Sequence, residues 1–192
     1  MLEKQTTFAL KQLLDTVSEC EMLVERHRQE LCTDGQFETY TAFCRLDYGN
    51  VQLINSHNLA QFFKENRVTG ISVGECARVI RQFDSDKDGF LTLEDFQNLV
   101  LTSQNQSLRK EVLRRSHCRV ARFERLPAHI ESLVLTILEH EIDLLKRVEF
   151  QLRDLKFRPD FTIQRAFQAI DRHGESFINC ENLDDFFKQN GI

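Results

Sequence analysis

The sequence predicts an all-α fold, and three observations carry that expectation. Helix breakers are scarce, with 7 glycines and 2 prolines in 192 residues. Apolar residues recur at i, i+3, i+4 and i+7 along most of the chain, the spacing of one helix face. No stretch reads as a strand longer than three residues. So little glycine and proline also excludes a collagen-like or low-complexity chain, and a turn-rich barrel or sandwich.

The elements follow in order. From Thr6 to Cys32, Leu10, Leu13, Leu14, Val17, Met22, Val24 and Leu31 keep helical spacing until Asp34-Gly35 ends the run. A short helix is predicted over 37–46 and another over 59–66. Ser72 and Glu75 form a capping-box pattern, S-x-x-E, which starts a helix running to Phe83. The next helix is predicted from about Thr92 to Thr102. A polar patch, 103–106, leads into a basic amphipathic helix expected to stop at Pro127, with seven basic residues against two acids over 105–126. A long amphipathic helix over 128–157 carries Ile130, Val134, Ile137, Leu138, Leu145, Val148, Leu152 and Leu155, and Pro159 ends it. Two short helices, 161–170 and 182–190, close the chain.

Composition narrows the class further. The chain is 41% hydrophobic and 29% charged, as a soluble folded protein would be. The net charge of −5 weighs against bulk nucleic-acid binding. No apolar run reaches the ~18 residues of a membrane span, and no secretory signal opens the chain. The six cysteines have no C-x-x-C pair, so reduced thiols in a cytoplasmic protein are expected. Dinucleotide, P-loop, nucleophile-elbow and zinc-protease signatures are lacking, and no enzymatic activity is predicted.

The chain also repeats itself. At an offset of 124 residues, 12 of the 30 positions in 37–66 are identical to those in 161–190, among them Phe37/Phe161, Asp47/Asp171, Ile54/Ile178 and Phe62-Phe63-Lys64/Phe186-Phe187-Lys188. So long a period indicates duplication of a whole unit: a long helix followed by helix–loop–helix.

Between the two copies lies the motif that carries chemistry. Residues 84–95 read DSDKDGFLTLED, with acids at loop positions 1, 3, 5 and 12 and glycine at position 6. A hard divalent cation takes six to eight oxygens at about 2.3–2.6 Å, and alternate carboxylates on a tightly turned loop can supply them. Gly89 allows the turn because it has no Cβ to clash at positive φ. Cys76, Val79, Ile80 and Phe83 before the loop, and Phe96, Leu99 and Val100 after it, keep helical spacing. With D-x-D-x-D-G set between such helices, the segment resembles an EF-hand of the calmodulin superfamily.

That resemblance implies calcium held by Asp84, Asp86, Asp88, the Phe90 carbonyl and Asp95, with Thr92 assisting. The family usually has glutamate at position 12. The shorter Asp95 implies weaker calcium binding, or magnesium instead, within a family range of ~10⁻⁹ to 10⁻³ M. Paired hands are the family's habit, and loop 47–58 lies 37 residues upstream. With Gly49, Val51 and Gln52 at positions 3, 5 and 6 and Asn58 at 12, it is expected to be a structural partner without an ion. Loop 171–182 is intermediate: Asp171 and Glu175 stand at positions 1 and 5, but His173, Ser176 and Asn182 stand at 3, 6 and 12.

The expected organisation is an N-terminal amphipathic helix (1–35), an EF-hand pair (36–102), a basic helix with a long amphipathic helix (103–158), and a third, unpaired hand (159–192). The function implied is a calcium- or magnesium-binding regulatory or structural module acting through protein–protein interaction. The alternative is a cytoskeletal or ciliary scaffold whose hands are structural. A protein partner is expected to cover the third hand or to lay a helix into a groove, unless the long helices or another copy do so.

Overall fold

Helix starts in this chain are marked by side chains that satisfy free N–H groups of the first turn. Glu38, Asn55, Ser72, Thr92, Asn105, Thr162 and Asn179 each accept a backbone N–H one to three residues into the helix that follows. The Ser72–Glu75 capping box forms as the sequence predicts, with Ser72 N donating to Glu75 Oε2 at 2.6 Å. The computed structural model describes residues 2–116 and 125–191.

Among the described residues the protein is all-α: α1 (Lys4–Thr33), α2 (Thr39–Leu46), α3 (Ser56–Glu65), α4 (Val73–Phe83), α5 (Leu93–Val100), α6 (Gln106–Leu113), α7 (Ala128–Lys156), α8 (Ile163–Ile170) and α9 (Cys180–Gln189). None of these helices is long and apolar enough to cross a membrane. The helices form two compact units, one of Met1–Cys20 with Lys146–Ile192, the other Glu21–Leu145. Segment 36–102 lies whole in the larger unit and 159–192 in the smaller. The two long helices, α1 and α7, contribute to both.

In the larger unit, α2–loop–α3 and α4–loop–α5 are joined through one antiparallel bridge. Ile54 N–H donates to the Leu91 carbonyl at 3.0 Å, and Leu91 N–H returns to Ile54 at 2.8 Å. Ile54, Leu91, Phe43, Phe62, Phe63, Phe96 and Leu99 are all fully buried, and Phe43 meets Phe96 edge to face. The same core takes in Val24, Leu31 and Cys32 of α1 and Ile130, Val134, Ile137, Leu138 and Ile142 of α7. The apolar face of the helix–loop–helix pair is therefore covered by the chain's own long helices.

Buried ions fix those helices in place. Arg28 on α1 donates to Glu141 of α7 at 2.6 Å and to the Leu99 carbonyl, left free at the end of α5, at 2.8 Å. Arg45 on α2 bridges Glu65 and Glu131, each at 2.8 Å, and Asn66 adds a donor to Glu131. Glu25 collects the start of the next segment, accepting from the Thr102 hydroxyl and from the Ser103 and Gln104 amides.

The basic stretch departs from expectation. It is not one helix to Leu126: α6 closes at Leu113 with Arg114 as its cap. Arg115 turns instead onto the exit of α1, donating to the carbonyls of Cys32, Asp34 and Phe37 at 2.5–2.9 Å. Those acceptors lie at and beyond a helix C-terminus, where a guanidinium replaces the missing backbone donors. The remainder of the predicted helix, 117–124, lies outside the described residues.

In the smaller unit, Ala9, Leu10 and Leu13 of α1, Leu155 of α7, and Ala166, Ile170 and Phe186 of the third helix–loop–helix share one core. Asp160 ties this unit by accepting Glu3 N at 2.6 Å and the Thr6 hydroxyl at 2.7 Å.

Candidate metal centre

Three loops in the chain are built on one frame. At position 1 an aspartate accepts the amide of position 6: Asp47 from Gln52 at 2.7 Å, Asp84 from Gly89 at 2.8 Å, Asp171 from Ser176 at 2.8 Å. Positions 9 and 12 cap one another at the start of the exiting helix. Asn55 N donates to Asn58 at 2.8 Å, Thr92 N to Asp95 at 3.0 Å, and Asn179 N to Asn182 at 3.0 Å. Positions 4 and 6 are left-handed in every loop: Asn50 and Gln52 (φ 51 and 61), Lys87 and Gly89 (63 and 90), Gly174 and Ser176 (69 and 63). Only loop 84–95 has glycine at position 6, and a Cβ there would meet open space, so its conformation alone selects glycine. Gln52 and Ser176 hold the same turn at a cost of about 1–2 kcal/mol each.

The loops differ at positions 3 and 5. Asp86 and Asp88 join Asp84 in a group in which one carboxylate oxygen from each lies within 4.8 Å of the other two. The first loop offers Gly49 and Val51 there, and the third His173 and Glu175. His173 instead faces Asp185 at 3.7 Å.

The three acids share their site unequally. Asp84 is 7% exposed. Burial pushes its carboxyl up, but the Gly89 and Lys87 amides outweigh this and hold it below the usual carboxylate range. Asp86 moves the other way. The Asp88 amide favours its charged form, yet burial, the hydrogen bond with Asp84 and the charges of Asp88 and Asp84 together raise it. A cluster of like charges that raises one member's pKa gains most from a cation. The donor set of three hard oxygens on a tight loop therefore fits a calcium or magnesium ion.

Phe90 follows the cluster with its amide on Asp88 Oδ1 at 2.8 Å. Asp95, predicted as the closing ligand, lies outside the cluster of three. It is 1% exposed, with Oδ2 on Thr92 and Oδ1 on the Ser85 amide at 3.3 Å. Burial raises its carboxyl, and the Thr92 and Ser85 donors more than offset that, leaving it lowered. Sequence reasoning missed this capping role, although T-x-x-D at 92–95 is itself a capping pattern.

No protein-family profile, no curated protein and no solved structure matches the chain.

Proposed function

We propose that this is an EF-hand protein, a divalent-cation-binding regulatory or structural module with one competent loop. The observation that carries the reading is the convergence of Asp84, Asp86 and Asp88, one oxygen of each within 4.8 Å of the others, on a frame the chain repeats twice without the full set of three acids. Asp84, Asp86 and Asp88 hold the ion, with the Phe90 carbonyl and Asp95 as further donors. The ion supplies charge neutralisation and crosslinking of the loop. Recruiting Asp95 trades its bonds to Ser85 and Thr92 for the cation. That exchange, with the side chain one methylene shorter than glutamate, favours weak calcium binding or magnesium.

A second reading rests on the covered face of the pair. With α1 and α7 of the same chain already on it, that face is closed to a target helix among the described residues, and the module suits a constitutive scaffold, as in a cytoskeletal or ciliary assembly of the cytoplasm. Calorimetry with calcium and then magnesium separates the two. Heat that vanishes in Asp84→Ala supports the ion-binding module. No heat at physiological ion levels leaves the scaffold.

A further inference from the structure

In the smaller unit, the N-terminal end of α1 and the C-terminal ends of α8 and α9 line a solvent-open cavity of about 630 Å³. That volume falls within the range of small-ligand sites, about 300–1,000 Å³. Leu2, Phe8, Ala169 and Phe186 give the cavity an apolar lining, and the Phe8 ring is 53% exposed there. An aromatic ring left half in water beside a cavity gains from a ligand that covers it. The charged residues of the lining are Lys4 and Arg172, and neither side chain has a hydrogen bond or ion pair among the described residues. Neighbouring acids are engaged elsewhere. Glu3 lines a separate cleft with Asp154 and Asp160, and Asp171 accepts the Glu175 and Ser176 amides within its own loop.

We propose that this cavity binds an unbranched hydrocarbon chain carrying one anionic head group, the chemistry of a fatty acid or a lipid phosphate. The chain covers Phe8 and its apolar neighbours, and the head group meets Lys4 and Arg172. Area removed from water supplies the affinity, and two cations without partners select the sign of the head group. A target helix is not the occupant. Ala9, Leu10 and Leu13 of α1 already share the core of Ala166, Ile170 and Phe186, so the place of such a helix is taken. The cavity left beside them suits a slim, flexible chain. None of residues 84–95 lines it, so the site stands or falls apart from the cation loop.

Calorimetry of the whole chain with laurate and with dodecyl phosphate tests the proposal, with circular dichroism checking that each variant folds. One molecule of at least one of them binds per chain, and the tighter of the two shows whether the head group is a carboxylate or a phosphate. Affinity falls about 2–4-fold for each methylene removed from the tail. It falls about 10-fold in Lys4→Glu/Arg172→Glu, where two attractions become repulsions at exposed positions. Dodecyltrimethylammonium, the same tail on a cation, binds at least ~10-fold more weakly. The chain has no tryptophan, so Phe8→Trp places a lone reporter beside the cavity, and its emission moves to shorter wavelength as the bound amphiphile covers it. No saturable binding of either anionic amphiphile overturns the proposal. So does binding indifferent to the sign of the head group or to the double charge reversal, or an emission that does not move on binding. Detergent-like uptake elsewhere on the protein would yield one of those results.

Discussion

In loop 84–95 the frame carries three converging carboxylates and hands Leu91 to a buried bridge. In loop 171–182 the same frame carries His173 and Glu175 and leaves Ile178 at the surface. The comparison separates two kinds of residue that a loop motif mixes together. Asp at position 1, the left-handed residues at 4 and 6, and the 9–12 cap recur in all three loops, so they maintain the turn whether or not an ion can bind. Positions 3 and 5 hold the ligand chemistry, and position 8 holds the pairing.

The largest test of that separation is at position 8. Ile54→Ala should destabilise its unit by ~2–4 kcal/mol in urea unfolding, because a fully buried side chain is lost from a closed core. Ile178→Ala should cost less than ~1 kcal/mol in the same measurement at low protein concentration, where the exposed side chain leaves no cavity. Equal costs would mean that the two edges are not different.

Transplanting the ligand positions is the next sharpest test. His173→Asp, Ser176→Gly and Asn182→Glu together should give the third loop a cation site, seen as a second binding event in calcium calorimetry. If the triple variant binds no more than the wild type, the frame alone does not make a loop competent.

A pH test addresses the larger unit's buried ions. Burial pushes the Glu141 carboxyl up to about 7, with Arg28 opposing and Glu21 adding to the shift. The folded state thus holds this proton more tightly than the unfolded chain. Stability should fall as pH rises from about 4.5 towards 7, by roughly 1–3 kcal/mol. Glu141→Gln should flatten that part of the profile, and an unchanged slope would move the cause elsewhere.

The smallest effect is at position 6. Ser176→Gly should stabilise the smaller unit by ~1 kcal/mol, since serine sits there at φ 63, and Gly89→Ala should destabilise the larger by a similar amount. Thermal melts of both variants measure this, and a destabilised Ser176→Gly or a stabilised Gly89→Ala would undo the argument from backbone strain.

Much of this was legible in the sequence because it is local. Acid spacing over six residues, the Ser72–Glu75 cap and the apolar period of α7 all report on neighbours within a turn or two. What stayed hidden is long-range. The stripe on α7 does not say that Ile130 to Ile142 join one core while Leu155 joins another. Nothing in the local pattern marks Glu25, Arg28, Arg45, Glu131 and Glu141. Their side chains are buried because each meets a partner or a free helix end from distant sequence. Asp95 was read as a ligand, and its hydrogen bonds show it also as a cap, two roles that one spacing cannot distinguish.

The central claim is that ion binding resides at positions 3 and 5 of one loop. Equilibrium dialysis against labelled calcium, with Asp86→Asn/Asp88→Asn and Asp171→Asn beside the wild type, tests it most directly. Substituting Asp86 and Asp88 leaves in place the backbone amides that Asp84 accepts from Lys87 and Gly89, and the bonds of Asp95, so loss of binding is not loss of the frame. The account predicts one ion per chain for the wild type, none for Asp86→Asn/Asp88→Asn, and one for Asp171→Asn. An ion retained by the double variant, or lost with Asp171→Asn, would contradict it.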